Sequence, residues 1–186
     1  MAIVSNNVVV GDNQKMTVSS GAEAYDTIVS AGYNNAYQNV LEGGSAIRTE
    51  VKKGTLNVSA GAYANSALIN GSRAEMYVYA NGSANNTTVK NNGVMYISAG
   101  GKATNVNIDS TGRMEIDVTS NTVLTGTSHG KAVSVGNGVT SNVTIYDLNY
   151  MNVASNWTAY DTVLSAGYNH ARQNVLEGGS AVRTEV

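Results

Sequence analysis

Residues 76–118 read MYVYANGSANNTTVKNNGVMYISAGGKATNVNIDSTGRMEIDV, and one phrase returns in them at a fixed interval: Met76-Tyr77-Val78, Met95-Tyr96-Ile97, Met114-Glu115-Ile116. Apolar and polar residues alternate inside each phrase, the period of a strand with one buried face. Outward from this stretch the same column runs through Val18, Val40, Val58, Val78, Ile97 and Ile116, at spacings of 22, 18, 20, 19 and 19 residues. Two positions before each stands Met16, Gln38, Leu56, Met76, Met95 or Met114. A second column holds Val29, Val51, Ile69, Val89 and Ile108, and five residues before each of these lies Ala24, Ala46, Ala64, Ala84 or Ala103.

A unit of about 20 residues cannot bury its apolar face alone, so it must stack on its neighbours. The expected fold is therefore all-β: a parallel β-helix, or β-solenoid, with coils of 19–22 residues and about nine coils in all, each adding roughly 4.8 Å. The usual crossover rule makes it right-handed. Each coil reads as two short strands separated by glycine corners, with Met and Val inward and Ala in a tight corner. Asn70-Gly71, Asn81-Gly82 and Asn92-Gly93 read as turns, because Gly and Asn both tolerate left-handed backbone. The absence of proline suits a fold whose strands need their N–H groups.

A longer period overlies the short one. Residues 24–51 recur as 159–186, identical at 23 of 28 positions, and the match continues upstream through Asn7/Asn142, Asp12/Asp147, Met16/Met151 and Val18/Val153. Two divisions follow: residues 1–135 as a first super-repeat, irregular over 119–135, and 136–186 as the start of a second copy. The copy stops at Val186 in mid-pattern, so a longer natural protein is expected. The segment 119–158 alternates only locally, at Val133/Val135 and Val143/Ile145, and reads equally as a decorated coil, a loop or a join.

Composition excludes several roles. A net charge of −2 with 13% charged residues provides no basic field for nucleic acid or anionic lipid. No apolar run approaches the roughly 18 residues of a membrane helix, and no basic segment followed by a long apolar stretch opens the chain. There is no cysteine for disulfides or thiolate metal sites.

With the columns in place, MTVSSGAEAYDTIVSAG (16–32), LNVSAGAYANSALINGS (56–72) and MYISAGGKATNVNI (95–108) resemble the AIDA-type repeats of autotransporter adhesin passengers. The resemblance covers residues 16–118 and resumes over 151–186. Doubled glycines, a mark of those repeats, persist at Gly43-Gly44, Gly100-Gly101 and Gly178-Gly179. The resemblance implies a secreted or surface-displayed solenoid serving attachment, bacterial self-association and biofilm, often with heptose on serines.

Individual residues add little chemistry. Glu115 and Asp117 share the outer face of one strand with Glu75 a turn or two away, a solvated face more than the converging carboxyl pair that glycoside hydrolysis needs. Asp26 and Asp161 occupy equivalent places in the two copies and suit a turn. His129 and His170 are the only histidines, and Asn35 stands at the equivalent of His170, so imidazole is not required there. The sequons beginning at Asn57, Asn70, Asn81, Asn85, Asn86, Asn142 and Asn156 arise from composition. No calcium motif, nucleophile motif or cofactor site is present. Tyr77 and Tyr96 are different: each lies between inward Met and Val/Ile residues, so both should point outward in one ladder able to bind a sugar ring or another protein.

The expected function is accordingly a surface-exposed or secreted adhesin and self-association scaffold, not an enzyme, located at the bacterial cell surface. A structural spacer or filament subunit is the alternative, and a carbohydrate-active β-helix enzyme would require clustered carboxylates in a cleft. Expected partners are a host or neighbouring-cell surface protein or glycan, and further copies of the chain, head to tail or side by side. Neither nucleic acid nor membrane insertion of this segment is expected.

Overall fold

The computed structural model describes residues 3–119, 121–146, 150–165 and 170–186. All regular elements among them are β-strands, and parallel strands stack into a β-solenoid of about eight turns. Asp147, the repeat partner of Asp12, lies outside the described residues.

The columns read from sequence are hydrogen-bonded ladders. Met16, Gln38, Leu56, Met76, Met95 and Met114 follow one another in register, as do Val18, Val40, Val58, Val78, Ile97 and Ile116. Ala24, Ala46, Ala64, Ala84 and Ala103 form another ladder, and Val29, Val51, Ile69, Val89 and Ile108 a third. All these residues are buried except Met16, which is partly so. Burial of a Val or Met side chain is worth about 1.5–3 kcal/mol, and here each is covered by its equivalents above and below.

One detail differs from the expectation. The alanines do not sit in a corner but in strands of their own, so a coil carries three strand segments. The corner falls two residues later, at Asp26, Arg48, Ser66, Asn86 and Asn105, each left-handed with φ between 52° and 58°. Asn7, Asn142, Asp161 and Arg183 repeat that conformation. It costs a non-glycine residue roughly 1–2 kcal/mol. The cost is offset because the ladder runs straight through the bend: the N–H of Asp26 donates to the Ile47 carbonyl, that of Arg48 to Asn65 and that of Ser66 to Asn85, at 2.8–3.0 Å.

Side chains reinforce this corner in both copies. The Arg48 guanidinium donates twice to the Asp26 carboxylate one rung above, at 2.7 and 2.7 Å, and Arg183 does the same to Asp161 at 2.6 and 2.9 Å. Each guanidinium also lies over a tyrosine ring, Tyr25 at 5.4 Å and Tyr160 at 5.7 Å. Hydrogen bonds from the arginines hold both aspartates below the usual carboxylate range.

Glycine has two distinct tasks. In Asn81-Gly82 and Asn92-Gly93 the asparagine adopts the left-handed conformation, at φ 60° and 63°. The glycine supplies clearance: a Cβ on Gly82 would lie 2.5 Å from the Val58 carbonyl oxygen. Asn70-Gly71 is not a turn. It lies inside the strand Leu68–Val78, where register against the preceding rung shifts between Ile69 and Arg73, as at a bulge.

The irregular segment is an antiparallel excursion. Val123–Ser128 pairs in parallel with the alanine-ladder rung before it, then antiparallel with Lys131–Gly136, which pairs antiparallel with Val139–Ser141. Val139–Ser141 rejoins a parallel ladder with Thr158–Tyr160. The two reversals are two-residue turns, His129-Gly130 (φ 51° and 78°) and Asn137-Gly138 (53° and 80°), with the paired positive φ values that match the twist of hairpin strands. These residues do not advance the spiral, which accounts for about eight turns where about nine were expected.

A polar residue stands in the inward methionine column. Gln38 is fully buried in the methionine column. Its Nε2 donates to Thr27 Oγ1 at 3.3 Å, and its Oε1 accepts from Thr49 Oγ1 at 2.8 Å. The second copy repeats the triad with Gln173, Thr162 and Thr184. Gln38→Leu should therefore lower stability by about 1–3 kcal/mol, because two buried hydroxyls lose their partner. The triple change Thr27→Val, Gln38→Leu, Thr49→Val should recover most of that loss in urea unfolding. If the single change costs nothing, the triad is not a structural element.

Candidate functional site

On the outer face of the methionine ladder, alternate residues point to solvent in register. Tyr77 lies opposite Tyr96, and Tyr96 opposite Glu115. The first two rings stack with centroids 4.3 Å apart and planes within 7°. Tyr79, two residues along the strand, extends the stack at 6.0 Å and donates its hydroxyl to Asn57 Oδ1 at 3.3 Å. Tyr77 donates its own hydroxyl to Glu75 Oε2 at 3.3 Å. Such stacks arise because parallel in-register strands set identical side chains one rung apart.

The stack ends at Glu115, on the last rung before the ladder is interrupted. Past Ile116 the column reaches the next rung through an isolated bridge between Val118 and Val153, while the intervening chain makes the antiparallel excursion. Beside this break lies a cavity of about 160 Å³, lined by Tyr77, Tyr96, Ser98, Glu115, Asp117 and Tyr150 together with the edges of Ile97 and Ile116. Tyr150 precedes Met151 in the second copy's Met-x-Val phrase. That spacing marks it as an outward neighbour of the strand, a signal not used in selecting Tyr77 and Tyr96.

The cavity is electrostatically one-sided. Burial, then the charges of Asp117 and Glu75, push the Glu115 carboxyl above its ordinary range. Burial and the nearby carboxylates raise Tyr77 and Tyr96 as well, so both phenols stay neutral.

The other residues considered have structural roles. Asp26 and Asp161 form the corner pairs. His129 occupies a hairpin turn with Nδ1 2.9 Å from Ser128 Oγ, and burial lowers its pKa. His170 is exposed. No group of three or more His, Cys, Asp or Glu side chains among the described residues is placed to hold a metal ion. No helix there is long and apolar enough to cross a membrane.

Comparison with solved structures adds a likeness. The chain is similar to a TibA fragment. The solved structure is that of the TibC-catalysed hyper-glycosylated TibA55–350 fragment, matched at 30% identity and a TM-score of 0.60. The match covers 99% of this chain and 66% of that fragment, so this chain spans about two thirds of the fragment's length. No protein-family model and no curated protein matches.

The raised Glu115 carboxyl has a stability consequence. Its folded pKa lies above its unfolded value, so the ionised group destabilises the fold above the raised pKa, and the effect disappears as pH falls below the ordinary 4.5. Glu115→Gln should raise the melting temperature near neutral pH and lose that advantage in acid. A pH-independent difference between the two melting curves would mean that Glu115 is solvated like any surface carboxylate.

Proposed function

We propose that this chain is part of a secreted or surface-displayed adhesive solenoid, a rigid rod whose side face makes the contacts for attachment and self-association. The observation that carries this reading is the likeness to the TibA fragment along nearly the whole chain. The AIDA-type phrasing of the repeats and the outward tyrosine stack agree with it. An in-register solenoid suits the task because any side chain placed once per coil becomes a row on a rigid surface. The partner is a cell-surface protein or glycan, or another copy of the chain. Sugars on outward hydroxyls, by analogy with the hyper-glycosylated fragment, belong to the same proposal.

The test is display of the chain on a non-aggregating bacterial strain, with settling and surface attachment measured. Displaying cells should settle and attach faster than controls, and the double change Tyr77→Ser, Tyr96→Ser should reduce both while circular dichroism stays unchanged. Attachment independent of the tyrosines would move the adhesive surface elsewhere on the rod. Absence of both effects in the unaltered chain would favour a spacer.

A further inference from the structure

Glu75, Glu115 and Asp117 lie around the tyrosine stack, near enough for Glu75 and Asp117 to act on Glu115, and among the described residues none of them is in an ion pair. The surrounding cations do not neutralise them. Arg113 is near enough to act on Tyr96, and Arg172 lies in register with Tyr150, yet neither comes within ion-pair distance of a carboxylate among the described residues. This contrasts with the aspartates of the corner column, Asp26 and Asp161, each of which holds an arginine in a bidentate pair.

The rings add a second preference of the same sign. One face of Tyr96 is covered by Tyr77, and the other is turned toward the rung where Glu115 replaces a tyrosine. An aromatic face carries negative potential and attracts a cation placed over it. Tyr150 lines the same cavity. Size completes the selection. About 160 Å³ is well below the roughly 300–1,000 Å³ of sites that enclose a small-molecule ligand, but it accommodates the head group of one side chain.

We propose that the slot bounded by Tyr96, Tyr150, Glu115 and Asp117 receives the ammonium or guanidinium head of a lysine or arginine side chain from a partner protein. The ring face of Tyr96 supplies a cation–π contact, Glu115 and Asp117 accept the charged hydrogen bonds, and Ser98 at the rim accepts or donates to the partner's backbone. The inference rests on the tyrosine face being a contact surface and assigns the chemistry that it recognises.

The experiment is titration of the folded chain with a pentalysine and a pentaarginine peptide, followed by NMR of the tyrosine rings and the Glu115 carboxyl. A neutral Gly-Ser peptide and a neutral oligosaccharide serve as controls. Both cationic peptides should shift Tyr96, Tyr150 and Glu115, and the neutral probes should not. Tyr96→Ser and the pair Glu115→Gln, Asp117→Asn should each weaken binding by about tenfold, whereas Tyr96→Phe, which retains the ring, should bind nearly as well as the unaltered chain. Cationic peptides that fail to bind, or that bind the carboxylate variant equally well, overturn the proposal, as does equal binding of the oligosaccharide. Tyrosine-dependent cell attachment without peptide binding would retain the adhesive reading and reject this one.

Discussion

The inward side chains of this protein are buried chiefly by their own counterparts one rung above and below, so register is the constraint on which the rest depends. A slip of one residue would turn Met76 and Val78 outward and Tyr77 inward, and it would do so in every coil stacked on that one. Register also dictates which polar residues meet. Asp26 faces Arg48, and Tyr77 faces Tyr96, because the corners between them consume the same number of backbone positions on successive rungs. Coil lengths between 18 and 22 residues are tolerated because the variation is confined to the connection before the methionine ladder, where bulges at Lys52 and Gly71 or a loop at 31–35 absorb it.

Much of this was legible from residue spacing. The three columns, their inward residues and the outward position of Tyr77 and Tyr96 all follow from period-2 alternation repeated at a nearly constant interval. The corner after the alanine ladder was not legible, because its left-handed positions hold Asp26, Arg48 and Ser66 as well as asparagine, and nothing local marks arginine or serine for that conformation. What fixes them there is the hydrogen bond to the next rung, a tertiary effect. The hairpin excursion was partly legible. Asn137-Gly138 is a strong two-residue turn signal between apolar alternations, and it was obscured by the surrounding wealth of Asn-Gly pairs serving other purposes.

The candidate site exists because the solenoid is imperfect. In an uninterrupted ladder further rungs would continue in register beyond Glu115, and the outer face would be a flat row of side chains. The excursion between Val123 and Ser141 leaves the column joined, among the described residues, through the bridge from Val118 to Val153, and the cavity with its uncompensated carboxylates lies beside that break. Local loss of regularity, on this account, converts a repetitive scaffold into one with a distinct position.

The central claim is the in-register parallel stack, and through-space proton contacts measured by NMR on isotope-labelled protein test it most directly. The account requires contacts typical of parallel strands linking Met76 to Met95 and Met95 to Met114. Antiparallel Hα–Hα contacts should be confined to the excursion between Val123 and Ser141. A shift of one residue along the methionine ladder, or antiparallel contacts between its strands, would contradict it.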